Sequence, residues 1–172
     1  MAQRGSRVWD MTPETEVSIV DSPPERRDEL EWILDESFEG LYLRHAKRTL
    51  RESQFVRVSL AADRPVGLAM LKNLDSRTGY VYYIAVAQAE RRKGVAGRLL
   101  DDALRHFRDE GVSEVYASVE EDNEPSLALF KSRGFARTGF GEVSKKRGAI
   151  GALIMYREML AVPGETLLHK PM

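Results

Sequence analysis

The sequence predicts a single α/β domain, a mixed and mostly antiparallel twisted sheet with helices on both faces. Three observations carry this. The chain has 172 residues, enough for one domain with a sizeable core. Short alternating hydrophobic runs and segments of helical spacing follow one another in the order β-α-α-β-β-β-α-β-α-β-β. Within that order, the strand–helix–strand piece from Tyr80 to Val119 requires a right-handed parallel crossover.

The elements follow in order. Residues 17–20 alternate as a short strand, and Ser22-Pro23-Pro24 breaks the chain. Leu30, Ile33 and Leu34 share one face of a helix over 25–36. Leu41, Leu43, Ala46 and Leu50 mark a second helix over 41–51. The runs 55–60 and 66–71, separated by Ala62-Asp63-Arg64-Pro65, read as a hairpin, and 80–86 is strongly strand-like. Leu99, Leu100, Ala103, Leu104 and Phe107 recur at helical spacing over 95–107, with Gly111 just past the end. A strand covers 112–119. Pro125 opens a short helix that stops at Gly134. Two closing strands are expected at 135–143 and 149–158, joined by Lys145-Lys146-Arg147-Gly148. The domain is therefore placed at 15–160. Residues 1–14 read as a flexible tail and 161–172 as a C-terminal extension without a clear period.

Composition narrows the function. The hydrophobic share of 42% and charged share of 31% are those of an ordinary globular chain. A formal charge of -1 and the lack of an aromatic-basic pattern argue against nucleic acid. No cysteine is present, which removes disulfides, thiolate metal sites and a cysteine nucleophile. His45, His106 and His169 lack metal spacing, so no metal is expected. No apolar run approaches the ~20 residues of a membrane span, and the first residues lack a signal-peptide core. A cytoplasmic, membrane-free protein is expected, with a homodimer left open.

The chemistry concentrates between Ile84 and Arg98. A strand, a glycine-containing loop and a helix start form the outline of an anion site. The first amides of a helix have no partner within it, and the helix dipole adds positive charge there. Gly94 permits close approach of the backbone to a phosphate, and Ala96 and Gly97 keep the first turn small. Arg91, Arg92, Lys93 and Arg98 bring cations without an intervening acid. Such a string arises by chance in roughly one chain in five of this length, so alone it supports only a basic turn. It is neither a Walker loop nor a dinucleotide fingerprint.

Two segments together resemble the GCN5-related N-acetyltransferase (GNAT) superfamily. Ile84-Ala85-Val86, followed by Arg91-x-x-Gly94-x-Ala96 and Leu99-Leu100, is similar to that family's cofactor signature. Asn123-x-x-Ser126-x-x-x-Phe130-x-x-x-Gly134-Phe135 is similar to its Asn-x-x-Ala-x-x-x-Tyr-x-x-x-Gly-Phe segment. The resemblance covers Phe55 to Met159 and implies a GNAT-like fold. It implies transfer of an acetyl group from acetyl-CoA (coenzyme A) to a primary amine of a small molecule or protein, by direct attack in a ternary complex. The backbone of Ile84, Ala85 and Val86 would pair with the pantetheine arm, which needs this strand to splay from the one at 112–119. Amides from Arg92 through Lys93, Gly94, Val95 and Ala96 to Gly97 would hold the pyrophosphate, flanked by Arg91 and Arg98. Asn123 and Ser126 would contact the cofactor, and Phe130 would pack beside the thioester.

The chain also departs from that pattern. Many members carry a tyrosine acid where Phe130 stands. Histone-type members place a glutamate at the position of Tyr80, and enzymes of ribosomal protein N-termini place one at Ser118. Glu120 lies on the same strand face as Ser118 and is the candidate base, against the alternative of a solvated strand end. His45, on the second helix, is a weaker base candidate. Of Tyr82 and Tyr83, one should face the core and the other the acceptor. Asp35, Glu36 and Glu39 would draw a cationic acceptor, whereas Lys145, Lys146 and Arg147 would draw an acidic one. The competing reading is a non-catalytic acyl-CoA-binding sensor of the same fold, which Phe130 favours.

Overall fold

The computed structural model describes residues 17–159 and 164–172; the expected tail at 1–14 lies outside them. Seven strands form one sheet in the order β1-β2-β3-β4-β5-β7-β6. They are β1 (Val17–Asp21), β2 (Phe55–Ala61), β3 (Arg64–Asp75), β4 (Thr78–Val86), β5 (Glu114–Glu120), β6 (Ala136–Thr138) and β7 (Glu165–Pro171). Strands β1 to β4 form an antiparallel meander. Strands β4 and β5 are parallel, as the crossover requires, and β7 runs antiparallel between β5 and β6. The helices are α1 (Glu31–Asp35), α2 (Gly40–Glu52), α3 (Val95–Asp109), α4 (Glu124–Ser132) and α5 (Phe140–Met159).

Helices cover both faces. On one, Leu99, Leu100, Ala103 and Phe107 of α3 pack against Ala69, Leu71, Val81 and Val115. Phe107 lies so close to β4 that a Cβ on Gly79 would sit 2.6 Å from its ring. Truncating a fully buried phenylalanine of this kind costs about 3–5 kcal/mol. On the other face, Ile33, Leu34, Ala46 and Leu50 of α1 and α2 pack on Val56, Val58, Leu68 and Met70. Beside them, Ala152, Met155 and Met159 of α5 pack on Tyr80, Tyr116 and Leu167.

The structure corrects the sequence reading at both ends. The expected helix at 25–36 is a 3-10 turn, Pro24–Leu30, that runs into α1. Arg27 ties this turn to α2. It is buried and donates through Nη1 to the carbonyls of Leu50, Arg51 and Ser53 at 3.3, 3.2 and 2.7 Å. These are the unpartnered carbonyls at the end of α2. The expected strand at 149–158 is helical. Helix α5 runs through it with a break at Gly148 (φ 73°), and its buried Val143, Ala152, Met155 and Met159 follow helical spacing. The expected strand at 135–143 survives only as β6. The missing strand comes from the stretch read as an extension. Thr166, Leu167 and Leu168 of β7 are buried consecutively, because a strand inside the sheet with both faces covered shows no alternation.

Candidate functional site

Strands β4 and β5 pair only from Thr78↔Glu114 to Val81↔Ala117. Beyond that, Tyr83 to Val86 pair only with β3, and Ser118 to Glu120 only with β7. The parallel pair therefore splits, as the pantetheine expectation requires. The split coincides with a β-bulge. Met70 opposes Tyr83 and Leu71 opposes Val81, leaving Tyr82 as the extra residue. A bulge bends its strand and re-aims the side chains that follow. Tyr82 and Tyr83 both border the same cavity on the α2 side, which overturns the expectation that they face opposite ways. Ile84 and Val86 return to the α3 side. The Ala87 N–H donates to the Val66 carbonyl at 2.9 Å. Alternation then turns the peptide groups of Ile84 and Val86 away from β3 and into the split.

One end of the split meets the start of α3. Gly94 caps the helix with φ 81° and, among the described residues, makes no side-chain cap bond to the first amides. A Cβ on Gly94 would meet nothing within 4 Å, so the space before the helix is open. Arg92 also has a positive φ of 65°. Gly97 serves a different purpose. Its Cβ would lie 2.7 Å from the Arg133 guanidinium, which Asp101 holds at 3.0 Å. The cations are less committed to an anion than the string implies. Arg91 donates through Nε to the Val86 carbonyl at 3.1 Å and reaches Ser37 at 3.4 Å. Lys93 pairs with Glu90 at 3.1 Å. The groups that could hold an anion are therefore the amides of Val95 and its neighbours and the helix dipole, more than side-chain charge.

The opposite wall belongs to α4. Asn123 caps it, its side-chain oxygen accepting from the Ser126 N–H at 3.2 Å. Phe130 is buried edge-on against Phe135, with ring centroids 5.0 Å apart. Ile84, Ala96, Asn123, Ser126, Phe130 and Glu120 all line one 120 Å³ cavity in the split. The structure thus brings the two sequence segments and Glu120 together, with Glu120 exposed at the strand end.

The split opens into a 610 Å³ cavity bordered by α2, Tyr80, Ser118, Met159 and Glu165. Glu165 begins β7 directly opposite Glu120 on β5. The Tyr42 hydroxyl donates to Glu165 Oε1 at 3.4 Å. Burial, then the charges of Glu165 and Glu120, push Tyr42 up to about 12. Burial, then Glu165, likewise raises Tyr83, whose hydroxyl lies 2.7 Å from His45 Nδ1. Burial, then the Arg48 charge, lowers His45. At neutral pH these three groups are therefore uncharged. Sequence reasoning missed Glu165 and Tyr42. Glu165 sits in the stretch with no visible period, and Tyr42 lies on a helix read only for its apolar face.

Other expectations fall away from the site. Asp35 pairs with Lys47 at 2.7 Å, and Glu36 accepts from the Gln88 N–H at 2.7 Å, bracing the loop. Arg147 turns inward to Asp75, Thr78 and Glu114, while Lys145 pairs with Glu142. Among the described residues no acid/histidine group could hold a metal, and no helix is long and apolar enough to cross a membrane.

A sheet split beside a helix start, with a lined cavity beyond, is an arrangement that could receive an extended anionic ligand on its backbone. The chain belongs to the acetyltransferase (GNAT) family, whose model matches residues 19–135. It is 38% identical over 63 residues to a mycothiol acetyltransferase of Catenulispora acidiphila, which covers 37% of this chain and 20% of the relative. It is 35% identical over 74 residues to an N-alpha-acetyltransferase of Saccharolobus solfataricus, covering 41% of this chain and 44% of the relative. The chain thus spans less than half the length of these curated relatives. The fold matches a PaiA N-acetyltransferase of Thermoplasma acidophilum in complex with coenzyme A (TM-score 0.68, 13% identity, 91% of this chain and 99% of that one). It equally matches the ribosomal-protein-S18-alanine N-acetyltransferase of Escherichia coli (TM-score 0.68, 14% identity, 91% and 94%).

Proposed function

We propose that the protein transfers an acetyl group from acetyl-CoA to a primary amine of a small molecule or protein, by direct attack in a ternary complex. One observation carries this reading: a single split in the sheet has an open helix N-terminus at one end and an acid-bearing cavity at the other. The thioester supplies an activated acyl carbon when bound. Ile84 and Val86 offer strand-like peptide groups to the pantetheine arm, and the amides from Arg92 to Gly97 offer donors to the pyrophosphate. Asn123, Ser126 and Phe130 form the facing wall. Because the acceptor arrives as an ammonium, a base must remove a proton before attack. Glu120, exposed where the split meets the acceptor cavity, takes that role, directly or through water. Phe130 has no proton to give the leaving thiolate. The phenols of Tyr42 and Tyr83 border the split in protonated form. A thiol ionises near about 8.5, so the demand for an acid is modest. A cytoplasmic location accompanies this reading.

The test is to incubate the protein with acetyl-CoA and a library of amines and peptides, following free thiol. Turnover with at least one amine is expected. Tight acetyl-CoA binding without turnover would leave only the sensor that Phe130 favours, and absence of binding would remove both readings.

A further inference from the structure

The acceptor cavity is electrically asymmetric. Where it joins the split it holds Glu165, with Glu120 across the strand pair. Its far rim carries Arg44 and Arg48. These lie one turn apart on the same face of α2, an arrangement that repels unless an anion lies between them. Among the described residues Arg44 makes no ion pair or hydrogen bond, and Arg48 reaches only the exposed Glu52, at 3.0 Å. Arg48 is close enough for its charge to act on the His45 imidazole inside the cavity. Tyr80, Tyr82, Tyr83 and Met159 line the same cavity, a wall suited to apolar chain. Along α2, Tyr42 and Arg48 stand about 9 Å apart, and Arg44 about 3 Å from Tyr42.

On the acyltransfer reading above, we infer that the acceptor is a primary amine joined by an apolar chain to a carboxylate about 6–9 Å away, an ω-amino acid or a lysine-like molecule. Its ammonium lies toward Glu120 and Glu165, its methylenes lie along the tyrosines, and its carboxylate lies between Arg44 and Arg48. A simple α-amino acid is too short to meet both ends.

The test uses the full chain with acetyl-CoA and three acceptors of matched length: 6-aminohexanoate, hexylamine and 1,6-diaminohexane. Free thiol gives kcat/KM, and calorimetry on the protein without acetyl-CoA gives affinity independently of turnover. The expected preference for 6-aminohexanoate over hexylamine is about tenfold, as for a charge-assisted hydrogen bond. Replacing both arginines by glutamine (R44Q/R48Q) should bring that ratio near one at unchanged Tm. Replacing both by glutamate should shift the preference to 1,6-diaminohexane. Equal use and equal binding of 6-aminohexanoate and hexylamine would overturn the inference, as would a preference that survives R44Q/R48Q. If acetyl-CoA fails to bind, the acyltransfer reading is what fails, and calorimetry still decides whether the cavity selects this charge pattern.

Discussion

The two ends of the split are built by opposite means. On the proposed reading the backbone binds at the α3 end: Ile84 and Val86 turn their peptide groups into the gap, and Gly94 leaves the first amides of the helix open. At the α2 end side chains do it, drawn from α2, β4, β5, α5 and the first residue of β7. A backbone site depends on conformation, so it is disrupted by bulk or strain at one position. A side-chain site depends on charge and length, so it can be retuned without changing the fold. Substitutions at each end should therefore separate cleanly.

The largest effect is expected for Gly94→Glu. It places a carboxylate before the helix start and forces a side chain into the left-handed region, costing about 1–2 kcal/mol. Coenzyme A affinity by calorimetry should fall at least about 100-fold. Gly94→Ala carries the strain without the charge and should weaken binding only several-fold. Next is Glu120→Gln, which should lower kcat about 100-fold, the usual scale for a lost general base, with coenzyme A affinity intact. A larger loss for Glu165→Gln would move the base to β7. Arg147→Ala should cost about 1–3 kcal/mol in denaturant unfolding, because it strips Asp75 and Glu114 of their shared cation. It should leave kinetics unchanged, and an altered acceptor KM would return that segment to the site.

A smaller effect comes from pH. His45 and His169 are both lowered from 6.5 by burial first, so the unfolded chain binds more protons than the folded one just below that value. Their contribution is complete above 6.5 and is lost as pH falls toward the lowered folded values. Tm should therefore decline from pH 7 to pH 5, less steeply in His45→Gln. The smallest effect is expected for Phe130→Tyr, within about threefold in kcat, if Tyr42 or Tyr83 already serves the thiolate. A large gain would assign the proton to that position instead.

This contrast also explains what the sequence disclosed. The hairpin of β2 and β3, the crossover, α3 and α4 were legible because glycine, proline and hydrophobic spacing report local conformation directly. So was the open start of α3, since Gly94 and the helix start are neighbours in sequence. Glu120 was legible as a strand-end acid, although its partner Glu165 was not. Thr166, Leu167 and Leu168 are buried in succession on both faces of β7 and carry no alternation, while 149–159 is apolar enough to pass for a strand. Swapping those two assignments hid one wall of the acceptor cavity. The bulge at Tyr82 was equally hidden, because two adjacent tyrosines on one face violate the period-two rule only after the register is known.

The central claim is that coenzyme A enters the split between β4 and β5 and pairs there with the backbone. Amide hydrogen exchange at residue resolution, with and without saturating coenzyme A, tests it most directly. The account predicts new protection at Ile84, Val86 and the amides from Arg92 to Gly97, with no change at Val81, where β4 already pairs with β5. Binding that leaves Ile84, Val86 and the α3 start exchanging as before would contradict it.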